Sequence, residues 1–172
     1  MNLLLRFSFL VALIFSAISC DKDDDPVISG SLAGTWKMTD LHADDGVSET
    51  TLGGQTLTIN YTVKGADYNT FTTFTENPNE FSSTGSYTAI TNIEGGDSDT
   101  TSVDAIPGTG TWSINGQTLT QTFAGETSDF EILELSDAKL RLRQNLDVTV
   151  SDSIFGFTIH DKATLFTTFE KQ

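Results

Sequence analysis

The sequence predicts an all-β chain of eight to ten antiparallel strands, closed as an up-and-down barrel or stacked as a sandwich. Three observations carry that expectation. Apolar and polar residues alternate with period two through most of the chain after Pro26, the mark of strands with one buried face. Asn115-Gly116 lies between two such runs, the pattern of a two-residue hairpin turn. All three prolines fall between runs, where a missing backbone donor does no harm. No helical periodicity is legible.

Taken in order, Thr35–His42 opens the domain. Thr56–Val63 is the clearest strand. Leu57, Ile59, Tyr61 and Val63 face one way, while Thr56, Thr58, Asn60 and Thr62 face the other, and β-branched threonine suits a pleated outer surface. Tyr68–Thr75 and Phe81–Ile90 flank an Asn77-Pro78-Asn79 turn, and Thr91–Gly108, rich in glycine and aspartate, reads as a long loop. A turn centred on Asn115-Gly116 sets Ile114 opposite Gln117, Ser113 opposite Thr118 and Trp112 opposite Leu119. Trp112, Ile114 and Leu119 then share a face.

A second hairpin turns at Asp137-Ala138. It sets Leu135 opposite Leu140, Leu133 opposite Leu142, and Glu134 opposite Arg141 as a cross-strand ion pair. Leu140, Leu142, Leu146, Val148 and Val150 share one side of the long strand that follows. Phe130 and Ile132 fall on the side of Glu134, which asks for a bulge or a sheet covered on both faces. Phe155–Ile159 and Leu165–Phe169 complete the set.

The first residues have a different character. Arg6 precedes an uncharged, mostly apolar run from Phe7 to Ile18, too short for a spanning helix of about 20 residues. A short positive region, a brief apolar region and small residues at the break make a secretory leader. The break, Ala17-Ile18-Ser19-Cys20, resembles the lipobox of bacterial lipoproteins. That resemblance implies removal of residues 1–19 and acylation of Cys20, the only cysteine, on its sulfur and its new amino group. Several acyl chains at about 0.8 kcal/mol per methylene make a lasting anchor. Asp21-Lys22-Asp23-Asp24-Asp25 resembles the export signal of Bacteroidota lipoproteins, which implies a lipid-anchored protein of the outer membrane, displayed at the cell surface. The expected organisation is a leader at 1–19, a lipidated acidic linker at 20–30 and one barrel domain at 31–172.

Charge narrows the partners. Twenty-four acids against nine bases give a formal net charge of −15, so the chain lacks the Lys/Arg clusters of a nucleic-acid binder. With Cys20 consumed by lipid, no disulfide is available. His42 and His160, the only histidines, stand in no chelating spacing and read as surface residues near strand ends. Asp44-Asp45-Gly46 and Asp97-Ser98-Asp99 lack the ordered run of oxygen ligands a calcium loop needs. No catalytic residue, metal ligand or cofactor is expected.

Leu32-Ala33-Gly34-Thr35-Trp36-Lys37 carries a Gly-x-Trp that is similar to the first motif of lipocalins, whose tryptophan plugs one end of an eight-stranded barrel. The order GTWK, FTENP, GTWSINGQTLT, FEILELSDAKLRL and a last strand with Phe and Lys resembles the lipocalin-like lipoproteins of Bacteroidota. The resemblance favours the barrel over the sandwich and assigns Gly34 and Trp36 to its end. It also puts an arginine, Arg141 or Arg143, against the tryptophan. A barrel of about eight strands holds one small apolar ligand, and shared parity makes Leu57, Ile59, Tyr61, Trp112, Leu119, Leu133 and Leu142 the candidate lining. The alternative is a filled barrel that displays loops such as Thr91–Gly108 to a protein partner.

Overall fold

Uninterrupted alternation yields strands and nothing else. A computed structural model describes residues 26–152 and 156–172, which hold twelve strands and no helix. The leader, Cys20, the acids of the Asp21–Asp25 run and Phe155 lie outside the described residues. The strands are β1 (Val27–Ile28), β2 (Gly34–Leu52), β3 (Gln55–Ala66), β4 (Phe71–Thr75), β5 (Glu80–Thr84) and β6 (Ser86–Ile93). They continue as β7 (Ser98–Asp104), β8 (Thr109–Asn115), β9 (Thr118–Phe123), β10 (Glu126–Leu135), β11 (Lys139–Asp152) and β12 (Phe157–Lys171).

Eight of them close a ring in the order β2-β4-β5-β8-β9-β10-β11-β12, sealed by the pairing of β12 with β2. The other long partners explain what happens above the ring. β4 pairs only with the first residues of β2, Gly34 to Lys37, whereas β3 pairs with its upper part, His42 to Leu52. β3 and β4 are thus two halves of one broken stave, and so are β5 with β6 and β7 with β8. The break between β5 and β6 is Gly85, where a Cβ would strike the backbone carbonyl of Asn69. The upper halves form an open sheet, β11-β12-β2-β3-β6-β7, that flares from the barrel.

The flare begins at paired irregularities in β2 and β12. Register slips between Ala43 and Gly46 against β3, and between Lys162 and Phe166 against β2. Bulges at a barrel rim bend and twist the strand that carries them. Asp45 pins this one. Its carboxylate accepts the Thr164 backbone N–H and hydroxyl, each at 2.7 Å, and these bonds hold its carboxyl below the ordinary value.

The lower end is packed solid. Leu32, Trp36, Leu119, Ile132, Leu135 and Leu140 are almost fully buried there, each large side chain contributing about 1.5–3 kcal/mol of burial. Trp36 Nε1 donates to the Leu32 carbonyl at 2.7 Å. The Phe74 ring meets Trp112 edge-on at 6.1 Å, a favoured aromatic geometry. Trp112 Nε1 in turn donates to the carbonyls of Thr75 and Glu80, at 3.0 and 3.1 Å, across the β4–β5 turn.

Three sequence-based expectations need correction. Thr91–Gly108 is not one long loop, because Ser98–Asp104 is a strand paired along β6 after a tight turn through Gly95-Gly96. The first hairpin turns at Gly116-Gln117, so Ile114 faces Leu119 and Trp112 faces Gln121. Gly116 leads that turn with φ +59°, the Gly-x arrangement of a type II′ turn rather than the Asn-Gly of type I′. The slip is two residues, so face assignments survive it. In the second hairpin Leu135 faces Leu140 and Glu134 faces Arg141, but Ile132 rather than Leu133 faces Leu142. Leu133 is a bulge. It reverses the parity of β10, so that Phe130, Ile132 and Leu135 all turn inward. Glu134 pairs with Lys139 Nζ at 3.5 Å instead of Arg141.

Candidate functional site

Above the solid floor the barrel encloses a cavity of about 720 Å³, open toward the flare. Ligand pockets usually occupy about 300–1,000 Å³. Alternation delivers its walls. Phe74, Thr72 and Thr70 point in from the β4 side, and Phe81 and Ser83 from β5. Phe123 and Gln121 come from β9, and Phe130, Ser128 and Glu126 from β10. Leu142 on β11 faces Thr167 on β12. β2 supplies both Met38 and Leu41, a spacing of three that strict alternation forbids. The register against β12 slips at Thr39, between Met38 opposite Phe169 and Asp40 opposite Thr168. That bulge turns both apolar side chains inward.

The wall is apolar with a few polar groups. The hydroxyls of Thr72 and Ser83 bond at 2.9 Å. Thr70 is 6% exposed, and its buried hydroxyl has no hydrogen-bond partner among protein atoms. Tyr87 also lines the space, and burial raises its phenol above the ordinary value, keeping it protonated at neutral pH. Among the described lining residues Glu126 is the only one that carries charge.

A second, shallower concavity of about 610 Å³ lies at the bend of the flare, between Asp44, Asp45, Tyr61 and Glu94. Two of its three carboxylates are already engaged. Asp45 holds Thr164, and Glu94 accepts from Asn60 Nδ2 at 2.7 Å. Among the described residues no three of His, Cys, Asp and Glu converge to hold a metal ion. His42 bonds Asp40 at 2.7 Å and stacks on Phe166, and His160 bonds Asp147 at 2.7 Å. The His160 bond lowers the Asp147 carboxyl.

Of the seven residues proposed from parity, the structure places Leu142 alone in the cavity wall. Trp112 and Leu119 lie in the packed floor, and Leu133 is the bulge. Leu57, Ile59 and Tyr61 belong to the inward-facing side of the sheet, since Leu57 lies in one row with Thr50, Ile159 and Val150. They sit on the flare, beyond the ring, and Leu57 is 62% exposed. The phenylalanines that build the wall were missed. The usable signal was period two itself, which puts Thr70, Thr72 and Phe74 on one face and sets Phe81 and Ser83 opposite Phe74 and Thr72, once Gly85 is taken as a break.

Gly34 and Trp36 stand at the closed end. Lys171 Nζ lies 5.0 Å from the centre of the Trp36 ring and donates to the Ser31 carbonyl at 3.0 Å. Gly34 gives the lysine room, since a Cβ there would come within 2.6 Å of Lys171 Cε. Neither Arg141 nor Arg143 takes this place. Arg143 instead clasps the Glu131 carboxylate through Nε, at 2.9 Å, and Nη2.

No curated protein and no solved structure matches the chain. The family model of the lipocalin-like domain matches residues 32–142, from Leu32 in the barrel floor to Leu142 in the cavity wall. That span covers well over half of the sequence. With an eight-stranded antiparallel ring closed around a cavity, and a tryptophan and a cation stacked at its sealed end, the chain belongs to the lipocalin-like domain family.

Proposed function

We propose that this chain binds one small apolar molecule in its barrel, as a lipid-anchored protein of the cell envelope. The observation that supports binding is the cavity of about 720 Å³ above a solid floor, walled mainly by phenylalanine, leucine and methionine. A barrel that serves only to display its loops has no need of such a space, because filling it would stabilise the fold. The family supports binding rather than catalysis. Thr167→Trp, which fills the cavity from β12, is the direct test. The unaltered chain should take up the neutral fluorescent probe N-phenyl-1-naphthylamine with an emission increase, and the variant should not. Equal uptake by both would leave display as the better account.

The anchor is supported by Arg6, the short apolar run and the small residues before Cys20. In this reading residues 1–19 are removed and residues 20–30 tie the domain to the outer membrane at the cell surface. Cys20→Ala should move the protein from the membrane fraction to the soluble one. Unchanged partitioning would remove the lipid from the scheme. Protease treatment of intact cells reads the leaflet.

A further inference from the structure

We propose that the barrel selects an uncharged, one-ended amphiphile, of which a long-chain alcohol is the simplest case, and turns away fatty-acid anions. The inference rests on the binding reading above and adds the charge of the ligand to it. A carboxylate taken from water into an apolar cavity needs a cation or several donors to hold it. Among the described lining residues there is no lysine, arginine or histidine, and the one charged group, Glu126, has the wrong sign. The chain as a whole carries −15, so the surrounding field opposes an anion too.

The polar groups that are present suit a hydroxyl. Thr70 has a buried Oγ1 without a partner, on a side chain that forms part of the cavity wall. Rotation about χ1 would bring that hydroxyl to the wall. A ligand hydroxyl, donor and acceptor at once, then satisfies a group the fold leaves orphaned. A cation gains less. Glu126 is exposed at the rim, where water screens the attraction.

The test uses the neutral dye N-phenyl-1-naphthylamine and three ten-carbon competitors at neutral pH: decanol, decanoate and decyltrimethylammonium. Decanol should displace the dye best, with decanoate weaker by about tenfold or more. Glu126→Gln should raise decanoate affinity by about threefold relative to decanol. Thr70→Val should weaken decanol several-fold relative to the dye, whose lone N–H can donate to the hydroxyl but cannot also accept from it. Decanoate within about threefold of decanol would overturn the proposal, as would tighter binding of the ammonium probe. Unaltered decanoate affinity in Glu126→Gln, or unaltered decanol affinity in Thr70→Val, overturns the role given to that residue. Should neither the dye nor any competitor bind, the binding reading itself falls, and that outcome is separate from a failure of charge selection.

Discussion

Thr70 and Thr72 are two threonines on one inward face, equally hidden at 6% and 7% exposure, yet replacement by valine should move stability in opposite directions. The Thr72 hydroxyl bonds Ser83 Oγ at 2.9 Å. Its loss removes a net contribution of about 1 kcal/mol and strands the serine, so Thr72→Val should cost about 1–2 kcal/mol. The Thr70 hydroxyl has no partner to lose. A buried, unpaired hydroxyl carries a penalty of about 1–3 kcal/mol, and an isosteric methyl brings about 0.8 kcal/mol of apolar burial in its place. Allowing for contact with a solvent-open cavity, Thr70→Val should stabilise the chain by about 1 kcal/mol. For a domain of about 150 residues that is a rise in Tm of roughly 2–4 °C. Urea unfolding followed by tryptophan fluorescence, with thermal melts alongside, measures both variants on one scale. A Thr70→Val protein that falls together with Thr72→Val would refute the reasoning, since it would mean the hydroxyl is satisfied in solution.

Other consequences follow from the bulges and the sealed end. Asp45 has a folded pKa below its unfolded value, so its contribution is fully present above about pH 4 and is lost as pH falls through the folded value. Asp45→Asn should cost about 1 kcal/mol at pH 7, a figure discounted for exposure, and its gap from the parent should narrow as pH falls toward 2. A constant gap across that range would contradict the assignment. Deleting Leu133 should leave a chain that still folds, because Ile132 and Glu134 then oppose Leu142 and Arg141 in a regular ladder with Phe130, Ile132 and Leu135 still inward. Leu133→Thr should stay within about 1 kcal/mol by urea unfolding. Lys171→Met should cost about 1 kcal/mol through the loss of its place over Trp36 and its bond to Ser31, and should change the near-ultraviolet dichroism of the tryptophan. An unaltered spectrum would count against that contact.

The strands were legible because side-chain alternation is local, and closure was not because it is a pairing between distant residues. Nothing in Phe166 or His42 alone announces that β12 meets β2. Single-residue insertions were only half legible, since the misfit of Phe130 and Ile132 with Glu134 asked for a bulge without placing it. Thr39 and Leu133 read as ordinary strand residues, yet each changes which neighbours point inward. The site failed in the axial direction. Parity put Leu57 and Leu142 on the same face, but height along the barrel depends on where β2 and β12 bend, and that is set by Asp45 reaching Thr164 across 119 residues of sequence. The cation over Trp36 was missed for a related reason, since Lys171 arrives from the far end of the chain.

β7 ends the open sheet, and one of its sides meets no other strand of the described chain. Such a margin is a template on which a second copy can stack. Here the margin reads Ser98-Asp99-Thr100-Thr101-Ser102-Val103-Asp104, with Glu94 and Asp97 at the turn before it. Two copies brought side by side would crowd acid against acid, which repels. The acidity that bars anions from the barrel therefore also keeps neighbouring molecules apart. That protection weakens as salt rises and the screening length drops below about 8 Å, so raised salt should favour self-association along this margin.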